Sequence, residues 1–238
     1  QLGTMATIYN YDYYPKHMEK LGGWEKDNDY VEYRLDVPET APEKYTKIAE
    51  MVEKRYNLHA RKLTKKEIFE GGYGKKLFDL INVTYSHLYG FSELSERQID
   101  QYVKMYFPLA DLDLITVVED GNKDNQLVGL AITIPSLTRA LQKCHRGRLF
   151  PFGWWHLLRA IKFHKTEVVD LLLIGVLPEY RSKGANSLVF ADLIPRYVKY
   201  GFKWGETHVE METNESVQSQ WGPLDPTMHK KRRCYRKA

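Results

Sequence analysis

The chain has 238 residues, which suffices for one domain with a sizeable core or for one domain and part of another. Hydrophobic residues make up 43% and charged residues 28%, a composition typical of globular proteins and unlike that of disordered or fibrous chains. The formal net charge of +4 indicates no strong general attraction to nucleic acid, and the two cysteines, Cys144 and Cys234, predict no disulfide framework.

Signals for export or membrane insertion are weak in this sequence. No apolar run approaches the roughly 18 residues of a membrane-spanning helix. The first residues, QLGTMATIYNY, lack the cationic and apolar regions of a signal peptide. Because a low cysteine content also suits a reducing compartment, we expect a cytoplasmic protein.

The first two segments are predicted at residues 1–38 and 39–57. In the first, residues 15–21 form a short helix ended by a glycine pair, and the alternation in DYVEYRLDV predicts a strand at residues 30–37. In the second, the apolar residues of PEKYTKIAEMVEKRY recur on one helical face. We interpret this second segment as a connecting helix.

A larger unit is predicted from residue 58 to residue 238. It begins with the strand LHARKLT, which is followed by the helices GKKLFDLINVTYSHL and SERQIDQYVKMYF. Ser95 and Gln98 have the spacing of a capping box at the start of the second of these helices. The apolar segments LDLITVVED and QLVGLAITI flank the polar turn GNKDN, which predicts a β-hairpin.

The second half of this unit starts with a predicted helical insertion at residues 136–165. The segment EVVDLLLIGV is continuously apolar, which predicts a strand buried on both faces. The helix NSLVFADLIPRYVKYG follows, and Pro195 inside it predicts a kink. The unit ends with the strand GETHVEMET, the short helix NESVQSQWG and the strand HKKRRCYRKA.

The two ends of the chain resemble each other weakly. Asn214, a short helix and a strand close the chain, and Asn10, a helix and a strand open it. We interpret residues 1–38 as the C-terminal tail of a preceding copy and residues 58–238 as a complete second copy of one fold. The alternative is a coincidental similarity between two helix–strand segments.

The stretch RSKGAN joins the long apolar strand to the helix that follows it. The first amides of a helix have no intrahelical partner and lie at the positive end of its dipole. Gly184 permits close approach to the backbone, and Arg181 and Lys183 add positive charge, so the stretch is suited to a phosphate or pyrophosphate. Neither GxxxxGK nor GxGxxG is present, which disfavours nucleotide hydrolysis and dinucleotide binding.

This stretch resembles the signature loop of the GNAT acetyltransferase superfamily, Gln/Arg-x-x-Gly-x-Gly/Ala. Arg181 and Gly184 match the first and fourth positions, whereas Asn186 replaces the small residue usual at the sixth. The predicted order of elements over residues 58–238 is also similar to that superfamily. The resemblance implies an α/β fold with a mixed, mostly antiparallel sheet that splays at the acyl-CoA strand and is flanked by helices.

The resemblance also implies a ligand and an activity. The co-substrate would be acetyl-CoA or another acyl-CoA, and the activity would be N-acyl transfer by direct attack of a small-molecule or peptide amine. Backbone groups of the strand would pair with the pantetheine arm, and amides of the loop would hold the pyrophosphate. By this resemblance the cofactor-binding residues are Ile174, Gly175, Val176, Arg181, Ser182, Lys183, Gly184, Ala185 and Asn186.

The catalytic groups depart from the family pattern. Many GNAT enzymes carry a tyrosine acid on the short helix after the penultimate strand, and here the corresponding aromatic residue is Trp221. Glu212, or Glu210 beside it, is then a candidate base and Tyr235 a candidate acid, although a solvated strand face and simple packing are the alternatives. A second hypothesis is therefore a GNAT-fold protein that binds a ligand or partner without acyl transfer. We expect Asn214 to cap the short helix.

Other functional classes have less support. The histidines have no HxxxH spacing, and no CxxC pair occurs, so we expect no metal site. We expect KKRR near the end to be a solvated strand face and not a nucleic-acid surface. The insertion is rich in aromatic residues edged by cations, and three interpretations remain open: a cover for the core, a lid over a large or hydrophobic pocket, or a surface that contacts a membrane.

Overall fold

A computed structural model describes residues 3–237. Its eight strands form one mixed sheet in the order β2-β3-β4-β5-β6-β1-β7, and β8 pairs with β1. The pair β5–β6 is parallel, and the other pairs among the described residues are antiparallel. The strands are β1 Trp24–Asp36, β2 Leu58–Arg61, β3 Ile115–Asp120, β4 Gln126–Pro135, β5 Val168–Val176, β6 Trp204–Thr207, β7 Glu210–Met211 and β8 Thr227–Lys237.

Helices flank this sheet and bury its apolar residues. The long helix α9 packs on α2 and on strands β2 to β5, while α4 contacts β4 and β5. None of the described helices is long and apolar enough to cross a membrane. The helices are α1 Tyr13–Leu21, α2 Glu43–Tyr56, α3 Lys65–Phe69, α4 Tyr73–Tyr85, α5 Glu96–Tyr106, α6 Thr138–Gln142, α7 Gly153–Phe163, α8 Pro178–Arg181, α9 Ala185–Tyr200 and α10 Glu215–Gln218.

Most elements agree with the local sequence signals. The capping box at the start of α5 is confirmed: the Ser95 side chain accepts a hydrogen bond from the Gln98 amide, and the Gln98 side chain accepts one from the Ser95 amide. The short helix α3 was not predicted, although Thr64 and Glu67 form the same kind of box. The predicted mixed, mostly antiparallel sheet flanked by helices is present.

Two strands differ from the sequence-based expectation. The segment GETHVEMET forms two short strands, β6 and β7, because the chain leaves β5 after Thr207 and continues along β1. The expectation that β5 is buried on both faces is wrong at residues 171–174, which are half-buried. These residues line a cavity, described below.

Strand β1 belongs to the same sheet as the rest of the chain. It starts at Trp24, earlier than predicted, and it lies between β6 and β8. Leu35 pairs with Gly205 of β6, and residues 24–34 pair antiparallel with β8. The units α1–β1 and α10–β8 therefore end in strands that pair with each other, so the described residues on the two sides of α2 share one sheet.

The charges of β8 bind buried carboxylates on β1 and β6. Lys230 contacts Glu206, and its Nζ lies 3.3 Å from Oε2 of Glu32, whose side chain is fully buried. Arg233 Nε donates a 2.8 Å hydrogen bond to Asp29, which is also buried. The expectation of a solvated face is therefore wrong for Lys230, because this strand covers carboxylates that need a cationic partner.

Replacing Lys230 with methionine should destabilise the protein strongly. The substitution leaves the buried Glu206 without its ammonium partner, whereas Glu32 keeps Arg232. Removing one partner of a buried ion pair costs about 3–5 kcal/mol. Lys231→Met is the matched control, because its side chain is 41% exposed and its partner Asp29 keeps Arg233. Urea unfolding of both variants measures the difference, and equal losses of stability would contradict the buried role of Lys230.

Candidate functional site

The sheet opens where the parallel pairing between β5 and β6 ends. The two strands pair from Val168 and Trp204 to Leu171 and Thr207, and the His208 amide then donates a 3.0 Å hydrogen bond to the Leu171 carbonyl. Beyond this point β5 continues along β4, with a shift in register near residue 172, whereas the other chain turns to β1. The strands splay as expected, and one edge of β5 is left without a strand partner.

A cavity of about 330 Å³ fills the opening. Its wall includes the open edge of β5, the end of α4 with the loop that follows, the first turns of α9 and the segment from β6 to Trp221. Arg181 and Asn186 line it at one side, and Tyr85 and Glu210 also line it. No residue of the insertion 136–165 belongs to this lining within the described part of the chain, which gives the lid interpretation no support.

The first two residues of α9, the buried Ala185 and the half-buried Asn186, have backbone amides without a partner among the described residues. Gly184 has a φ of 84°, and a Cβ on it would lie 2.9 Å from Cγ2 of Ile48, so both the backbone conformation and the contact with α2 require glycine. The amides of Lys183 and Gly184 donate within the turn. Those of Ala185 and Asn186 have no hydrogen-bond partner among residues 3–237.

The cations of the loop differ in their surroundings. Arg181 turns inward, where its Nε donates a 3.0 Å hydrogen bond to the Val176 carbonyl. Lys183 Nζ lies 4.2 Å from the centroid of the Tyr180 ring. Ser182 is exposed. Among the predicted loop residues, Lys183, Ala185 and Asn186 thus provide the positive charge and the two free amides suited to an anion.

A tyrosine that the sequence analysis missed occupies the open edge of β5. The Tyr85 hydroxyl donates to the Ile174 carbonyl at 3.0 Å and accepts from the Ile174 amide at 3.2 Å. Burial raises the pKa of Tyr85 to about 12. Hence the backbone groups of Ile174 and the carbonyl of Val176, which were predicted to bind a pantetheine arm, already have partners. Gly175 lies between them, against Thr84 of α4.

A half-buried carboxyl group, that of Glu210, lies on the cavity wall. Trp221, which is 2% exposed, donates from Nε1 to both carboxylate oxygens of Glu210 at 3.0 and 3.1 Å. Burial raises the pKa of Glu210 to about 7, although the hydrogen bonds from Trp221 and Thr207 favour the charged form. A carboxyl group that titrates near neutrality is suited to general base chemistry. Trp221 thus positions a candidate base in this fold.

His208 also lies on the cavity wall. Its Nε2 is buried and has no hydrogen-bond partner among residues 3–237. Burial lowers the pKa of this imidazole, which keeps it neutral at pH 7. A neutral imidazole with a free nitrogen can form one hydrogen bond with a polar group of a bound molecule.

The two residues first predicted as catalytic lie elsewhere. Glu212 Oε1 lies 2.5 Å from Lys231 Nζ, and its Oε2 lies 2.9 Å from Lys26 Nζ. These hydrogen bonds, first that of Lys231, lower the pKa of Glu212. Tyr235 lies on β8 opposite Lys26. Neither Glu212 nor Tyr235 is among the described residues that line the cavity.

The remaining predictions for this region concern capping and metal binding. Asn214 caps α10, as expected, because its side chain accepts a hydrogen bond from the Val217 amide. Glu32, Glu206 and His229 place one ligand atom each within 4.8 Å of one another. The Lys230 ammonium contacts both of these carboxylates and supplies the positive charge there.

Comparisons with solved structures identify the fold. A GCN5-related glucosamine N-acetyltransferase region in a fungal multi-domain GH3 β-N-acetylglucosaminidase aligns with a TM-score of 0.57 and 12% identity, over 93% of this chain and 22% of that chain. A GCN5-related N-acetyltransferase from Sphaerobacter thermophilus aligns with a TM-score of 0.57 and 10% identity, over 93% and 54%. This chain has the GNAT fold. A tandem GNAT protein from the clavulanic acid pathway aligns with a TM-score of 0.51 and 13% identity, over 99% and 61%.

Comparison with curated proteins finds one relative of low sequence identity. The chain is 24% identical over 174 residues to a bacterial ceramide synthase from Caulobacter vibrioides (strain NA1000 / CB15N). This match covers 68% of the chain but 42% of that protein, so the chain spans less than half the length of the relative. No family model matches the chain. Within the GNAT fold found here, Arg181 and Asn186 of the predicted loop line the same cavity as Glu210.

The raised pKa of Glu210 predicts a specific pH dependence of folding stability. The native state holds a proton on Glu210 between pH 4.5 and about 7, where the unfolded state has released it. The stability that the protonated carboxyl contributes to the folded state is therefore fully present below pH 4.5 and is lost as the pH rises to about 7. Over this pH range, the free energy of unfolding of the wild type should fall by about 3 kcal/mol relative to that of Glu210→Gln.

Urea unfolding at a series of pH values measures this difference. Glu212→Gln is the matched control, because the pKa of Glu212 is lowered and its contribution is retained above its unfolded pKa. The difference in free energy of unfolding between wild type and Glu212→Gln should therefore stay constant from pH 5 to 7. A constant difference for Glu210→Gln as well would contradict the raised pKa.

Proposed function

We propose that this chain is an N-acyltransferase that moves an acyl group from an acyl-CoA thioester to a primary amine. One observation carries the proposal: Glu210 lies half-buried in the cavity at the splay and is held by Trp221, and these surroundings raise its pKa to about 7. A base of this pKa is partly ionised at neutral pH and can accept a proton from an attacking amine.

The proposed reaction needs one proton carrier. The amine nitrogen attacks the thioester carbonyl and forms the C–N bond, while the Glu210 carboxylate takes the N–H proton. The C–S bond then breaks, and the thiolate receives that proton from Glu210. Because a thiol has a pKa of about 8.5, transfer from a carboxyl group with a pKa of about 7 is favourable. The carboxylate is restored, and the products are an amide and the free thiol of CoA.

The donor is proposed to lie along the open edge of β5. Its pyrophosphate would bind the free amides of Ala185 and Asn186 together with Lys183. The Tyr85 hydroxyl makes the same two hydrogen bonds with Ile174 that an amide of the pantetheine arm can make. We therefore propose that the arm displaces Tyr85 when the donor binds.

A long-chain amine is the proposed acceptor class. The curated relative is named as a ceramide synthase, and a ceramide is the amide of a long-chain amino alcohol and a fatty acid. Apolar side chains such as Leu173, Phe190 and Leu193 line the cavity, which suits hydrocarbon. His208 offers a buried nitrogen to a hydroxyl of such an acceptor. These features favour a fatty acyl donor over acetyl-CoA.

The proposal also covers the cellular compartment and the organisation of the chain. Cys144 and Cys234 are both free, which suits a reducing, cytoplasmic compartment. We also propose that residues 1–38 are the tail of a preceding copy of this fold. The antiparallel pairing of β1 with β8, each preceded by a helix, supports that proposal.

A second candidate is a binding module that holds an acyl-CoA or lipid without transferring the acyl group. The contacts of Tyr85 and Arg181 with the open edge favour it, because they satisfy the strand without a ligand. The two functions differ in one measurable product. Release of free CoA thiol in the presence of an amine supports transfer, whereas ligand binding without release supports the module.

Glu210→Gln should strongly slow acyl transfer while leaving donor binding intact. Loss of a general base typically lowers the rate by about 10²–10⁴-fold. Thiol release from a series of acyl-CoA donors with a long-chain amino alcohol measures the rate, and the wild-type rate should rise with pH through about 7. Glu212→Gln is the control and should keep the wild-type rate. Full activity of Glu210→Gln would overturn the proposed role.

Lys183→Glu should weaken the binding of CoA, because it places a negative charge beside the two free amides. A hydrogen bond or contact with a charged group is worth about 1.5–3 kcal/mol, so the Kd should rise about tenfold or more. Lys199→Glu, at the exposed far end of α9, is the matched control. Calorimetric titration with CoA measures both, and absence of binding by the wild type would remove the acyl-CoA proposal. Gly184→Glu is unsuitable, since it would disturb the contact with Ile48.

A further inference from the structure

The insertion carries positive charge without negative charge. Between Thr138 and Lys165 there are seven Lys or Arg residues and no Asp or Glu. Among residues 3–237, one of these cations has a carboxylate partner: Arg139 NH1 lies 3.4 Å from Glu167 Oε2. The other six, which are all exposed, are Lys143, Arg146, Arg148, Arg159, Lys162 and Lys165.

Large aromatic side chains lie among these cations and face solvent. Phe150 and Phe152 are 79% and 70% exposed, and Phe163 is 55% exposed. Trp154 and Trp155 are each more than two-fifths exposed. The interpretation of the insertion as a cover for the core is therefore wrong for these residues. Single exposed apolar residues are ordinary, but a group of this size is typical of an interaction surface.

The insertion is anchored without using these aromatic side chains. At its end, His164 Nε2 lies 2.6 Å from Asp111 Oδ2, and the imidazole stacks on Tyr200 with 3.8 Å between ring centroids. Within it, the Cys144 thiol is buried and contacts the Gly153 carbonyl at 3.5 Å. The fold thus holds the segment while Phe150 and Phe152 remain outside the core.

We propose that this surface, residues 143–165, docks on a bilayer that contains anionic phospholipid. Exposed Phe and Trp side chains enter the boundary between headgroups and acyl chains, and Lys and Arg side chains pair with lipid phosphates. The absence of Asp and Glu from this segment matches a negatively charged membrane surface, and the exposed aromatic side chains match its apolar layer. The proposal goes beyond acyl transfer and holds independently of it, because it concerns binding alone.

Co-sedimentation with lipid vesicles tests the apolar part of the surface. The chain should bind vesicles of equal parts phosphatidylcholine and phosphatidylglycerol and bind phosphatidylcholine alone at least about tenfold more weakly. Phe150→Ala with Phe152→Ala should weaken binding about tenfold or more, since both rings leave the bilayer. The matched control is Tyr106→Ala with Leu109→Ala, which removes two similarly exposed apolar side chains at and just after the end of α5 and should change nothing.

The charged part has its own variants. Arg146→Glu with Arg148→Glu should weaken binding to the anionic vesicles about tenfold or more, and added salt should weaken the wild type. Lys47→Glu with Lys54→Glu on α2 is the charge-matched control. Failure to bind either vesicle, equal affinity for both, or wild-type binding by the Phe150/Phe152 variant would overturn the proposal. So would a wild-type dimer in sedimentation velocity that this variant abolishes, because the occupant would then be a second copy.

Discussion

The end of the parallel pairing at Leu171 and Thr207 is the constraint on which the rest of the site depends. Up to that point β5 and β6 satisfy each other's backbone groups, and beyond it one edge of β5 faces a cavity. Buried backbone groups need partners, and here Tyr85 and Arg181 supply them at Ile174 and Val176. The same opening that leaves these groups without a strand also creates the space for a ligand.

Strand β1 explains why the chain leaves β5. It pairs with β6 at Leu35 and with β7 at Val31, so the segment after Thr207 follows β1. The position of β1 in turn depends on charge, because its buried carboxylates Asp29 and Glu32 need the cations of β8. The cations of β8 therefore stabilise β1, and through β1 they stabilise the separation of β6 from β5.

Glu210 and Glu212 demonstrate how strongly local surroundings control a carboxyl group. The two residues are separated by Met211 alone. Glu210 is half-buried beside Trp221, and the loss of solvent raises its pKa, whereas Lys231 and Lys26 bind Glu212 and lower its pKa. The residue that replaces the expected tyrosine acid thus provides a hydrogen bond to the candidate base, so its presence is compatible with chemistry at this site.

The sequence by itself determined the features that neighbouring residues control. These include the capping box at Ser95, the glycine turn at Gly184, the cap at Asn214 and the helical insertion, because each depends on local backbone preferences and periodicity. Only the tertiary structure decided the groups around the cavity. Tyr85 meets Ile174 across 89 positions of sequence, and Glu210 differs from Glu212 through desolvation of the first and the lysine partners of the second. Desolvation and long-range hydrogen bonds depend on residues that are distant along the chain, so local sequence patterns do not predict them.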